Sequence, residues 1–250
     1  MGEEERIRIK VMGPMFGAFT KSTCVDCYEF VYDAACAEYD WLVVFDELPV
    51  AFERLRCPAE NTILCTWEPV SIKGYSKAYT RQFGHLLTNR PPEAERHPHY
   101  HLGRGYFIPF VHDVPAPHHW SEKFADAILC ECLPFYAGDP ALTEIFPAES
   151  FIPIPIDDPD EAVRIVRAAI ANDEYAKRRE AILEAKRLIF EKYNFWSQVI
   201  SVIESAPQSP RLPPSSRLVY ARKELRWHSL SAALEDGWAH LRRFLGFDLV

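Results

Sequence analysis

Apolar and polar positions alternate over Arg6-Ile-Arg-Ile-Lys-Val11, the two-residue period of a strand. Trp41-Leu-Val-Val-Phe-Asp46 is instead a continuous apolar run closed by an acid, the pattern of a parallel strand buried on both faces. Asn61 to Trp67 repeats that pattern and stops at Glu68-Pro69, where proline has no N–H to continue a ladder. His85-Leu-Leu-Thr88 is a further strand, while Tyr28 to Ala37 and Ser76 to Phe83 read as helices. Strands alternating with helical segments predict an α/β fold with mostly parallel strands.

Asn89 to Gly105 has no apolar period and is rich in Pro, His and Arg, so it reads as a linker or long loop. Beyond it the pattern predicts a strand at Tyr106 to Val111 and a helix from Glu122 to Glu131, with Phe124, Ala127 and Ile128 on one face. A strand then runs from Leu133 into a turn at Gly138, and a proline-bearing edge strand spans Ser150 to Ile154. Asp158-Pro-Asp-Glu161 is a helix start, with a capping Asp, Pro at the first helical position and acids in the first turn. That helix is expected to carry Val163, Val166, Ala169 and Ile170 on one face. Two more follow, from Glu174 to Tyr193 and through Val199, Val202 and Ile203. Ser205 to Ser216 is a Pro/Ser linker, and the tail from Arg217 sets Leu230, Leu234, Trp238, Leu241 and Leu245 on one helical stripe. The predicted organisation is a domain over 1–89, a linker over 90–105, a second domain over 106–204, a linker over 205–216 and a tail over 217–250.

A length of 250 residues allows one or two domains, and 48% hydrophobic with 26% charged residues excludes a disordered chain. The net charge of −8 argues against nucleic acid as a partner. It is unevenly spread: from Arg211 onward seven basic and four acidic residues give +3, leaving −11 elsewhere. The amphipathic tail therefore has two readings, a helix lying on an anionic membrane or a terminal helix docked on the acidic core. No run approaches the ~20 apolar residues of a membrane helix. The acidic start, Met1-Gly-Glu-Glu-Glu5, is unlike a secretory leader, and seven scattered cysteines suit reduced thiols. A cytoplasmic protein is expected, peripheral on the inner face of a membrane if the first reading of the tail holds.

Several motifs carry candidate chemistry. Cys24-Val-Asp-Cys27 is a CxxC without a second pair, either a structural feature or half of a metal or redox site. His97-Pro-His-Tyr-His101 would share one face in a strand and could bind a metal there, or it is a solvated loop. Asp157-Asp-Pro-Asp160 resembles the acidic motif of metal-dependent sugar transferases, but a helix cap accounts for the same residues. Neither a P-loop nor GxGxxG occurs, and Ser121 lacks the glycines of a nucleophile elbow. Ser121 caps the helix that begins at Glu122 and Lys123, and a helix N-terminus with a lysine beside it suits a phosphate group. Glu122 is placed to grip sugar hydroxyls; ordinary capping of a surface helix is the alternative.

Three spaced segments, His119-Trp-Ser-Glu-Lys123, Leu133 to Gly138 and Pro147-Ala-Glu-Ser-Phe-Ile152, resemble the motifs of the family-10 glycosyltransferases, the α-1,3-fucosyltransferases. Tyr39 to Asp46, Asn61 to Pro69 and Gln82 to Thr88 resemble the N-terminal half of bacterial members, so the likeness covers about residues 6 to 200. It implies a GT-B-like α/β fold of two Rossmann-like halves, with GDP-fucose on the C-terminal half and a glycan acceptor facing the other. It implies an inverting transfer with no cofactor and no metal. His119, Ser121, Glu122 and Lys123 would bind the donor, and Glu68 would act as catalytic base. His119 stands where the family has tyrosine, and the stretch between Thr88 and the Glu-Lys motif is shorter by several tens of residues. The second half is therefore expected to be abbreviated. A non-catalytic carbohydrate- or nucleotide-binding relative, and a transferase using another nucleotide sugar, are the alternatives.

Overall fold

The apolar runs of the N-terminal half assemble into one sheet in the computed structural model. It describes residues 6–14, 16, 22–66, 73–88, 97–102, 120, 122–138, 140–207 and 217–244, with the backbone alone at 122, 236 and 239–244. Strands β1 (Ile7–Met12), β2 (Ser22–Val25), β3 (Tyr28–Val31), β4 (Trp41–Phe45) and β5 (Phe52–Arg54) come first. They are followed by β6 (Thr62–Thr66), the short helix α1 (Lys77–Thr80), β7 (His85–Thr88) and β8 (Tyr100–Leu102). The seven-stranded sheet has the order β2-β3-β1-β4-β6-β7-β8. All neighbours are parallel except β2, which runs antiparallel to β3. Leu42, Val43, Val44, Ile63, Leu64 and Cys65 are fully buried, so β4 and β6 are covered on both faces, as their unbroken apolar runs require. The chain is thus α/β with a mixed, mainly parallel sheet.

Two expectations for this half are corrected. Tyr28 to Ala37 is not a helix but a strand followed by irregular chain. Tyr28 and Phe30 pack inward from β3, and the Asp33 carboxylate accepts from the Ala35 N–H at 2.8 Å, tying the alanines into a turn. The CxxC segment forms the β2–β3 hairpin: Asp26, with φ 51, and Cys27 make its two-residue turn, and both cysteines are free thiols. The stretch expected as a linker over 90–105 contains β8, an edge strand in register with β7.

The chain divides into two compact units, Met1–Gly103 with Val199–Val250, and Arg104–Gln198. The tail over 217–250 is consequently not a separate element. Strand β11 (Leu218–Tyr220) pairs antiparallel with β5. Its Tyr220 is clamped by Gln82, whose amide donates to the Tyr220 carbonyl at 3.0 Å and accepts from its N–H at 2.9 Å. The two C-terminal helices span Arg222–His228 and Leu230–Phe244. Val219, Ala221, Leu225 and Ala232 complete a core with Leu42, Val44, Leu64, Leu86, Tyr75 and Tyr79. Glu235 accepts from the Lys77 N–H at 2.6 Å, capping α1 from the last helix.

In the second unit, α2 (Glu122–Leu129) is followed by two short parallel strands, β9 (Phe135–Tyr136) and β10 (Ile152–Pro153). Helices α3 (Pro159–Ala171), α4 (Glu174–Glu191) and α5 (Phe195–Ser205) follow, and the unit boundary falls within α5. Asp158 caps α3 by accepting from the Glu161 N–H at 3.0 Å, with Pro159 at its first position. The apolar face expected on α3 is not a core face: of its residues Ala169 is buried, whereas Ile170 is 73% exposed. The core instead joins Phe124, Ala125 and Ile128 of α2 to Ile182, Ala185 and Ile189 of α4. The expected strand at Tyr106 to Val111 lies outside the described residues. The C-terminal helices are α6 (Arg222–His228) and α7 (Leu230–Phe244).

Candidate functional site

The strand order positions a crevice before any side chain is considered. From β1 the chain moves outward to β3, then returns to lay β4 on the other side of β1. Connections therefore leave β1 and β4 in opposite directions, and ligands of open parallel sheets bind at the carboxyl ends of such a strand pair. Gly13 follows β1 there. A Cβ at this position would come within 2.8 Å of the Phe45 carbonyl oxygen, so only glycine lets the two strand ends approach.

Asp46 follows β4, in the left-handed region with φ 60, and is only 6% exposed. Its N–H donates to the Cys65 carbonyl at 2.8 Å, its carboxylate accepts a short hydrogen bond from Tyr75 Oη, and Tyr79 Oη donates to its carbonyl at 3.4 Å. Burial, and then the Glu47 and Asp46 charges, push the Tyr79 phenol well above its usual range, so it stays a donor. Next to Asp46, Glu47 faces two cations, Lys73 Nζ at 3.6 Å and Arg222 Nε at 3.9 Å. Arg222 Nε is buried and, among the described residues, lies within hydrogen-bond distance of no acceptor, while its Nη1 reaches the Gly74 carbonyl at 3.4 Å. A carboxylate, a phenol and two cations at one strand end suit a hydroxylated or charged ligand. Cys65, whose carbonyl accepts from the Asp46 N–H, is fully buried, and burial followed by the Asp46 charge raises its thiol pKa well above the ordinary value. It is no activated nucleophile.

Farther along the same edge, the hydroxyls of Thr66 at the end of β6 and Thr88 at the end of β7 are 2.7 Å apart and fully buried. The expected base Glu68 comes two residues after β6 and lies outside the described residues. The histidine segment is part strand, not a simple loop. His101 on β8 meets His85 on β7, with Nε2 and Nδ1 3.2 Å apart, and the His99 ring lies 5.8 Å from that of His85. His97 is locked by the Phe83 carbonyl at 3.1 Å and the His99 N–H at 3.2 Å. Among the described residues no group of three His, Cys, Asp or Glu is arranged to hold a metal ion.

Of the expected donor residues, His119 and Ser121 lie outside the described residues, and only the backbone of Glu122 is described. Lys123 is exposed in the first turn of α2. The three motif segments of this unit do meet. Phe124 stands 5.6 Å from Phe151 and 5.5 Å from Tyr136, ring to ring, and Tyr136 stands 5.7 Å from Phe151. Trp120 adds an edge-to-face contact with Phe146 at 5.1 Å. Burying Phe124 and Ala125 turns the preceding Lys123 to solvent. An open depression of about 520 Å³, lined by Cys130, Cys132, Phe135, Ile170 and Tyr175, lies at the opposite, C-terminal end of α2.

Gly13, Asp46, Glu47, Lys73 and Arg222 were not singled out by sequence reasoning. The available signals were the acid that closes the apolar run of β4 and the glycine directly after β1. Arg222 had no local signal, because it reaches the crevice from the far end of the chain. Comparison with protein-family models, with curated proteins and with solved structures finds no match to this chain.

Proposed function

We propose that the chain is a glycosyltransferase of the α-1,3-fucosyltransferase type, moving fucose from GDP-fucose to a glycan hydroxyl with inversion and without a metal. The observation that carries this reading is the convergence of the three motif segments, which interlock through Trp120, Phe124, Tyr136 and Phe151 around the start of α2. In it, Lys123 and the N–H groups of the first turn of α2 stabilise the departing diphosphate, and Ser121, Glu122 and His119 complete the donor site. Cleavage of the sugar–phosphate bond leaves an oxocarbenium-like sugar, and Glu68 takes the proton of the attacking hydroxyl. The GT-B arrangement belongs to the same proposal. The mainly parallel sheet of the first unit supports an acceptor-side half.

One observation favours the second reading, a non-catalytic nucleotide- or carbohydrate-binding relative: the described part of the second unit holds only the two short strands β9 and β10. A thermal-shift panel of nucleotide sugars tests both readings and the choice of donor. Stabilisation by GDP-fucose with turnover supports the transferase; stabilisation without turnover or hydrolysis supports the binder. No response to any guanine nucleotide refutes the donor assignment. A ligand at 100 times its dissociation constant adds about 2.7 kcal/mol, well within the reach of such a panel.

A further inference from the structure

The tail has two readings, a membrane helix or a helix docked at home; the structure docks it and leaves Leu230, Leu234 and Trp238 of its apolar stripe exposed, while the Leu241 side chain and Leu245 lie outside the described residues. Helix α7 packs on α1 and α6 through small and polar residues, with Ala232 buried and Glu235 turned onto the N-terminus of α1. The large side chains point the other way. Leu230 is 77% exposed, Leu234 65% and Trp238 63%, and Trp227 at the end of α6 is 82% exposed. Leu230, Leu234 and Trp238 are spaced by four along one helical face, and Trp227 precedes them. Phe52, half exposed, extends the patch through its ring contact with Tyr220, which stacks on His228 at 4.2 Å. Exposed apolar surface on this scale marks an interaction site.

We propose that these exposed side chains, Trp227 of α6 and Leu230, Leu234 and Trp238 of α7, dock the protein onto an anionic lipid surface. An exposed tryptophan at the end of α6, and two leucines and a tryptophan along the outer face of α7, match the composition of segments that lie in the headgroup region. The charge around the patch is complementary to anionic lipid. Lys223 is exposed on the same side of α6 as Trp227, four residues away, and Arg226 is half-buried beside it. Glu224 is half-buried and Glu235 faces inward on α1. From Arg211 onward the chain carries +3 against −11 elsewhere, which favours this segment over the rest of the chain at an anionic surface. A second copy seated on the same face would instead bring two basic rims together. Among the described residues no helix is long and apolar enough to cross a membrane, which leaves this contact peripheral.

Vesicle flotation of the full chain tests the proposal. The protein should float with phosphatidylcholine vesicles containing phosphatidylglycerol, float weakly with phosphatidylcholine alone, and be released by high salt. The double substitution Trp227→Ser with Trp238→Ser should lower partitioning roughly tenfold or more while leaving the melting temperature unchanged, because both rings are exposed. Lys223→Glu with Arg226→Glu should weaken binding to the anionic vesicles alone. Protein that stays unbound to anionic vesicles overturns the proposal, whether light scattering then finds a monomer or a dimer. Binding that survives the double tryptophan substitution overturns it as well.

Discussion

Acidification from pH 7.5 to pH 5 should destabilise the first unit through His85. The imidazole sits in β7 with its ring 5.8 Å from Trp41 and its Nδ1 3.2 Å from His101 Nε2. Burial first, then the neighbouring His101, His99 and His97, push its pKa down from 6.5 to about 4. The unfolded chain therefore binds a proton that the folded chain refuses, and stability must fall as the pH drops. The loss is absent above the unfolded value, grows through pH 6.5 and is complete below about pH 4. At 1.36 kcal/mol per pKa unit the whole effect is about 3 kcal/mol, of which about 2 kcal/mol has been lost by pH 5. His97 and His101 are also pushed down, each by burial first, and add to the same slope. Urea unfolding at several pH values measures this, with His85→Phe as the comparison because it keeps the ring contact with Trp41 and cannot titrate. The wild type should lose about 2 kcal/mol more than the variant between pH 7.5 and pH 5. Parallel pH profiles, or a His85 ring proton titrating near pH 6.5 in the folded protein, would refute the reasoning.

Leu225→Ala should cost about 2–5 kcal/mol, since the side chain completes the core under β4 and β6, and truncation at 216 should abolish cooperative unfolding of the first unit in calorimetry. Gly13→Ala should cost about 1–3 kcal/mol by chemical denaturation, because its methyl would press on the Phe45 backbone. A chelator should leave any transfer activity unchanged, as Asp158 serves α3 as its cap; activity lost in EDTA and restored by manganese would show the metal-dependent alternative.

The central strands of the sheet are legible in the sequence because they are buried on both sides. Trp41 to Phe45 and Thr62 to Thr66 are unbroken apolar because parallel strands at a sheet centre offer no polar face. His85 to Thr88 needed no correction for the same reason. Tyr28 to Val31 forms a strand and not the expected helix, and just beyond it the Asp33 side chain accepts from the Ala35 N–H and holds a turn. The tail docks on the first unit, the second of its two readings, but not through the large residues at helical spacing. Leu230, Leu234 and Trp238 have that spacing and face outward, while Val219, Ala221 and Ala232, too small to dominate a pattern, make the contacts. Glu47 and Arg222 could not be paired from sequence, since only the return of the C-terminal segment brings Arg222 to the end of β4. Around α2 the apolar positions Phe124 and Ile128 were legible as a core face, and Phe151 joins them in the same core.

The central claim is that α2 begins a nucleotide-sugar site, and calorimetric titration of GDP into the wild type and Lys123→Ala tests it most directly. Lys123 is exposed, so the substitution should leave the melting temperature intact. The account predicts GDP binding by the wild type and a loss of about 1.5–3 kcal/mol in the variant, the range of a charge-assisted contact to a diphosphate. Equal affinity in the two proteins would remove Lys123 from the site, and no GDP binding by the wild type would contradict the account itself.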